Sequence, residues 1–232
     1  MKKIITLACF LFCVIIGFAQ IDGAWKLSGN GTIEVTCIVA DNYFMQTTYD
    51  KTNKLFVNTQ GGTITAGNDG KMRVTIEFNT EDSSSAGQSH ILDYKLENNV
   101  LTIRINGSDK AWQRIDDGKG ELSGNWRITE REQNGKMNPM RPGPRKTLKI
   151  LSGTRFQWVA INTETKEFFG TGGGTYTFNN GKYTENIEFF SRDNSRVGAS
   201  LSFDGKVDNK KWHHSGKSSK GDPIAEIWTR QN

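Results

Sequence analysis

The chain has 232 residues, with 30 basic and 25 acidic side chains and a mean hydropathy of −0.58, which suits a soluble protein and leaves room for one or two domains. Setting aside Lys2 and Lys3, which belong to a leader described below, leaves 28 basic against 25 acidic residues, a net charge of +3. That excess is too weak to imply nucleic acid as a partner, because nucleic-acid binders gather basic residues on one face.

The first element is a leader. Lys2 and Lys3 precede an apolar run from Ile4 to Phe18 that ends at Ala19, with small Gly17 and Ala19 placed for cleavage. This pattern predicts a signal peptide over residues 1–19 and an exported protein, periplasmic or secreted. The run is too short for a permanent span, and no later segment reads as one. Lipidation at a leader cysteine is the alternative, but few residues precede Cys9 and bulky Phe12 precedes Cys13. Cys37 is then the one cysteine of the mature chain, so no internal disulfide is possible. In the strand-like run Thr36-Cys37-Ile38-Val39 it reads as a small buried hydrophobe.

From residue 20 onward the chain repeats itself. Phe44 matches Phe156 and Gly61-Gly62-Thr63 matches Gly173-Gly174-Thr175 at an offset of 112, and Ile76-Glu77-Phe78 matches Ile187-Glu188-Phe189 at 111. Gly23-Ala24-Trp25 opens the first copy and Trp112-Gln113-Arg114 closes it; Gly124-Asn125-Trp126 and Trp228-Thr229-Arg230 bracket the second. The expected domains are 20–115 and 124–232, joined by a polar linker over 116–123 containing Gly118 and Gly120.

Within each copy, short runs rich in Thr, Val, Ile and aromatic residues alternate with turn dipeptides: Asn30-Gly31, Asp69-Gly70, Asn98-Asn99, Asn180-Gly181 and Asp204-Gly205. Met72, Val74, Ile76 and Phe78 alternate with polar residues, the period of a sheet with one buried face. Eight or nine strand candidates per copy and no helical stripe predict an all-β fold, either a sandwich or a closed barrel.

On these residues the chain resembles the lipocalin and calycin superfamily, whose barrels open with Gly-x-Trp and lay an Arg of the closing strand across that Trp. The matching positions are Gly23, Trp25 and Arg114, then Gly124, Trp126 and Arg230. The second copy also resembles bacterial lipocalin-like domains of unknown function through Phe156–Trp158, Gly173–Thr177 and Trp212–Gly216. The resemblance implies two tandem small antiparallel up-and-down barrels, each with a cation–π plug at its closed end.

The copies also act as controls on each other. Glu185 stands where the first copy has Val74, and His214 where it has Ile103, so both are expected inside the second barrel as a paired or ligand-facing polar site. A satisfied structural pair is the plain alternative. His213 and His90 are expected on the surface. Trp158, Tyr176, Tyr183 and Trp212 are candidates for an apolar wall, against the alternative of packed core. The stretch from Trp126 to Phe156 is 11 residues longer than that from Trp25 to Phe44, and it carries Met137, Pro139, Arg141, Pro142, Pro144, Arg145 and Lys146. By the resemblance this insertion would lie at the barrel mouth, where Arg141 or Arg145 could meet an anion; an ordinary proline-stiffened loop is the alternative.

No nucleophile elbow, phosphate-binding glycine loop or metal motif is present, so no metal or cofactor is expected. Haem on His214 is conceivable through the resemblance, with nothing specific for it. The expected function is a carrier holding a small, partly apolar and perhaps anionic ligand in the second barrel, with the first barrel a filled support. The alternatives are a barrel enzyme using Glu185 and His214 as acid and base, and a structural or adhesive module without a ligand. The oligomeric state is left open.

Overall fold

The computed structural model describes residues 21–27, 31–218 and 221–231. The leader expected over residues 1–19 lies outside them, as does Asn30 of the Asn30-Gly31 turn.

The first copy forms eight strands: β1 (Gly23–Leu27), β2 (Ile33–Ala40), β3 (Tyr43–Asp50), β4 (Leu55–Ala66), β5 (Lys71–Asn79), β6 (Ser89–Glu97), β7 (Val100–Ile105) and β8 (Ser108–Asp116). Each pairs antiparallel with the next, and β8 pairs back onto β1 to close an up-and-down barrel. Closure leaves no open edge along the sheet. The second copy forms β9 (Gly124–Gln133), β10 (Lys136–Pro139), β11 (Arg145–Leu151), β12 (Arg155–Asn162), β13 (Glu167–Asn179), β14 (Lys182–Phe190), β15 (Ser200–Asp208), β16 (Lys211–Lys217) and β17 (Pro223–Arg230). Here β9 and β17 close the barrel, while β10 folds back on the far end of β9 as a hairpin outside the eight-stranded ring. The expected all-β pair of tandem antiparallel barrels is what forms. Helical structure among the described residues is limited to two short 3₁₀ turns at matching places, Ser83–Ser85 and Asn194–Arg196.

The repeated glycines have a common reason. Each barrel carries a bulge in its fourth strand, between Gly61 and Gly62 and between Gly173 and Gly174. A Cβ on Gly62 would collide with the carbonyl oxygen of Thr75, and one on Gly174 with that of Asn186. Only glycine lets the bulged backbone approach its neighbour so closely. Asn98-Asn99 and Asn180-Gly181 turn with positive φ at both residues, as a two-residue hairpin requires. Asp204-Gly205 does not turn: it lies inside β15, where Gly205 pairs with His214. The turn comes later, at Asn209-Lys210, both with positive φ.

Each barrel has its own core, and a third core lies between them. Trp126, Phe156, Tyr183, Trp212 and Trp228 anchor the second barrel; Trp25, Phe44, Met72 and Trp112 anchor the first. The third joins the outer faces of the barrels, with Ile38, Tyr43, Met45 and Phe78 packing on Leu148, Ile150, Val159 and Ile161. Burying such side chains is worth roughly 1.5–3 kcal/mol each, so the barrels are held side by side by more than their connecting segment. Polar contacts surround this seam. Lys146 donates to Glu77 at 2.8 Å, Tyr49 to Glu188 at 2.9 Å, and Gln157 to Thr59 at 2.9 Å.

Candidate functional site

The plug at the closed end is present in both barrels, but in two forms. Arg114 lies 4.1 Å from the Trp25 ring centre and donates to the carbonyl of Asp22 at 2.8 Å. Arg230 stands 5.9 Å from Trp126, because Asp41 of the first barrel takes its guanidinium in two bonds of 2.8 Å. Asp41 also accepts the backbone N–H of Asn125 at 2.9 Å. A second acid makes a similar tie between the barrels: Asp116 of β8 receives the N–H groups of Gly153 and Thr154 and the hydroxyls of Ser152 and Thr154.

Neither barrel is filled. The first encloses a cavity of about 330 Å³ whose wall is mainly apolar, with Trp25 and Trp112 at its base and Phe44, Met72, Val74 and Ile103 around it. This corrects the expectation of a packed support. Cys37 faces the same space and is half-buried rather than fully buried as expected, and desolvation pushes its thiol up to about 12. His90 is exposed at the rim of this cavity.

The second barrel opens a larger cavity of about 760 Å³, and its chemistry is different. Glu185 and His214 both line it, at 5% and 3% exposure. They are not each other's partners. Glu185 accepts from Lys149 at 2.7 Å and from the Tyr183 hydroxyl at 2.9 Å. The Lys149 ammonium lies among four rings, with centres 5.1–5.8 Å away at Trp228, Tyr183, Trp212 and Phe156. This surround of opposite charge and ring faces offsets the cost of burying the ammonium.

His214 instead faces Glu226. Its Nδ1 is 3.6 Å from Glu226 Oε2, a long contact that couples the two groups, and neither ring nitrogen makes a hydrogen bond among the described residues. Burial lowers the His214 pKa, helped by the Lys149 charge, so the ring is neutral near pH 7. Burial alone would raise the Glu226 carboxyl, but His214, Arg131 and Lys149 outweigh it and hold it at about 2. Arg131 clasps one Glu226 oxygen at 2.8 and 3.2 Å, and Trp228 Nε1 donates to the other at 3.1 Å.

Trp158, Phe169 and Phe190 form apolar wall near the mouth. Of the proposed wall residues, Trp158 alone lines the cavity. Tyr183 and Trp212 lie beneath it in the core, fully buried, and Tyr176 donates to the Ser152 carbonyl at 2.6 Å. The 11-residue insertion is partly strand, since β10 and the lengthened β9 belong to it. Arg141 is exposed and outside the cavity lining, whereas Arg145 lines the cavity with its guanidinium 4.2 Å over Phe169. Lys146 turns to Glu77 of the first barrel. His213 is exposed, as expected.

Counting charges by partner separates structural from available groups. Arg131 pairs with Glu226, Lys149 with Glu185 and Arg196 with Asp193. That leaves Arg145 and Arg192 in the lining without an ion-pair partner among the described residues, against Asp222 alone. No cluster of His, Cys, Asp and Glu among the described residues is arranged to hold a metal. No described helix is long and apolar enough to cross a membrane.

Residues 121–232 match the family model described as a domain of unknown function, DUF4488. That match takes in the whole second barrel, from β9 to β17, and does not extend into the first. The charged cavity therefore belongs to the part of the chain that is similar to this family. No curated protein matches the chain.

Lys149 and Glu226 escaped the sequence reading, and the strand registers show which first-barrel positions they match. Lys149 pairs with Trp126 across β9 and β11 as Cys37 pairs with Trp25 across β1 and β2. Glu226 pairs with His214 as Lys110 pairs with Ile103. The four ionisable residues at the second barrel's centre thus occupy the places of Cys37, Val74, Ile103 and exposed Lys110.

Proposed function

We propose that the chain is an exported, lipocalin-like carrier whose second barrel holds a small, partly apolar anion. The observation that carries this reading is a roomy cavity in which Arg145 and Arg192 lack acidic partners and stand beside the aromatic wall of Trp158, Phe169 and Phe190. Its volume of about 760 Å³ falls within the range of small-molecule sites, which combine mostly apolar walls with a few placed polar groups. A guanidinium without a protein carboxylate is suited to a ligand carboxylate or phosphate, which it grips through two parallel bonds. The leader supports export, since a molecule carried between cells or through the periplasm needs a protein on that side of the membrane.

Native mass spectrometry of protein purified from its own host tests the reading first. A retained organic anion supports it, and Arg145→Ala with Arg192→Ala should then weaken binding at least tenfold while Trp158 fluorescence still reports a folded protein. A wild-type protein that binds no anion from a broad panel of organic acids would remove it.

The acid–base reading changes its residues. Glu185 is committed to Lys149 and Tyr183, so the available dyad is neutral His214 beside ionised Glu226. Turnover of a bound anion, lost in His214→Phe, would convert the carrier into an enzyme.

A further inference from the structure

His214 is a buried imidazole that makes no hydrogen bond among the described residues, although the Glu226 carboxylate stands 3.6 Å from its Nδ1. It lines the cavity at 3% exposure, and rings surround it: Phe203 at 4.3 Å, Trp212 at 5.0 Å and Tyr183 at 5.8 Å between centres. Neither nitrogen meets a hydrogen-bond partner among the described residues. Leaving such a group unmet costs free energy that a bound molecule can return.

The surroundings decide which nitrogen is which. The charged and titratable groups acting on His214 are Glu226, Glu185 and Lys149. Glu185 is occupied by Lys149 and Tyr183, so the group beside Nδ1 is the Glu226 carboxylate at 3.6 Å. A carboxylate is acceptor-only when ionised, and two facing lone pairs would repel. The neutral ring therefore carries its hydrogen on Nδ1, toward Glu226, which leaves Nε2 as a bare acceptor, itself buried from solvent. Arg131 and Trp228 hold that carboxylate in place, so the orientation is built into three strands, β9, β16 and β17.

Resting on the carrier reading above, we propose that the second barrel selects anions that also carry a hydroxyl or N–H, donated to His214 Nε2 while the anionic group meets Arg145 and Arg192. The site then reads two features of one molecule. An acceptor group at the same point, such as an ether or ketone, would face the lone pair and be rejected, and a site built for a donor discriminates strongly against the analogue that lacks it.

The test uses the full mature chain and matched probes: 3-(4-hydroxyphenyl)propanoate against 3-phenylpropanoate and 3-(4-methoxyphenyl)propanoate, with the butanoate and pentanoate homologues to span different separations. Calorimetry should show the best hydroxyl compound binding roughly tenfold more tightly than its unsubstituted partner, the weight of one bond to a buried acceptor, with the methoxy compound weakest. In His214→Phe the hydroxyl and unsubstituted compounds should bind alike. Nitrogen-15 NMR of the unliganded wild type should show the hydrogen on Nδ1 and a bare Nε2, a readout that needs no variant. Equal affinities in the wild type, discrimination that survives His214→Phe, or a hydrogen found on Nε2 would each overturn the inference while leaving anion binding intact. Failure of every anion to bind would instead remove the carrier reading, and this one with it.

Discussion

The two barrels share strand order, bulges and closing Arg over Trp, yet one has an apolar interior and the other a charged one. The first has Cys37, Val74 and Ile103 where the second has Lys149, Glu185 and His214. The lesson is that ionisable groups enter a barrel as a set. Lys149 comes with Glu185, Glu185 with the hydroxyl of Tyr183 in the place of Met72, and His214 with Glu226. A single charged residue in the first barrel's frame would have no partner, and an unpaired buried charge is among the costliest features a fold can carry.

The most direct way to break the comparison is to convert one barrel toward the other one residue at a time. Glu185→Val leaves Lys149 at 6% exposure without its ion-pair partner, and should cost about 3–5 kcal/mol by urea denaturation. Lys149→Cys combined with Glu185→Val recreates the pair that the first barrel already holds. That double variant should recover much of the loss, because a buried ion pair replaced by apolar groups is often nearly neutral. If the double variant is less stable than Glu185→Val alone, the set is not energetically coupled.

That set was only half legible in the sequence, and the reason is local. Strand β14 alternates cleanly, Tyr183, Glu185, Ile187 and Phe189 being buried, so the inward position of Glu185 follows from period two alone. Strand β11 does not alternate. Residues 148–151 are all buried, because one face of β11 lines its own barrel while Leu148 and Ile150 pack on the first barrel across the seam. With both faces buried, Lys149 lacks the pattern that would assign it a side. Glu226 was hidden differently: the hairpin between β16 and β17 is longer than its counterpart, and β17 bulges between Ile227 and Trp228, so the constant offset fails before reaching it. The seam and the first cavity depend on how closed barrels meet and how completely side chains fill them, which strand patterns do not encode.

Acid titration separates the barrels next, since the carboxyl held at about 2 and the imidazole with a lowered pKa both belong to the second. Unfolded, Glu226 has its ordinary value of 4.5; folded, it is held at about 2, so its stabilisation is present above pH 4.5 and lost as the pH falls toward 2. The span corresponds to about 3 kcal/mol. His214 is also lowered, from 6.5, so the unfolded chain gains a proton more readily and stability begins to fall below pH 6.5. Stability measured against pH should therefore decline in two stages on acidification. His214→Phe should remove the stage beginning near pH 6.5 and shrink the one below 4.5, because His214 helps hold Glu226 down, whereas Glu226→Gln should remove the lower stage; a single unaltered stage in both variants would contradict these assignments.

The closing arginines offer a smaller contrast. Arg114 serves its own barrel, whereas Arg230 is drawn toward Asp41 across the seam, and Asp41 also holds the Asn125 N–H. Asp41→Ala should cost about 2 kcal/mol, the scale of hydrogen bonds to a charged group. It should also let Arg230 settle over Trp126 as Arg114 does over Trp25, which a crystal structure of the variant would reveal. An unchanged denaturation midpoint would mean that the apolar seam alone sets how the barrels dock.

The smallest expected effect is also a warning about reading repeats. Lys71 pairs with Asp93 at 2.8 Å in the first barrel, and Lys182 with Asp204 at 2.7 Å at the matching place in the second. Recurrence in both copies invites the inference that this ion pair helps hold the barrel. All four side chains are more than half exposed, however, where water and salt screen the attraction and ordering two long side chains offsets what remains. Lys71→Ala and Lys182→Ala should each leave the denaturation midpoint unmoved within error, at low and at high salt. A clear loss in either, larger at low salt, would show that the shared pair carries weight its exposure denies. The differences between the copies, more than their identities, would then cease to be the better guide to where this chain stores its energy.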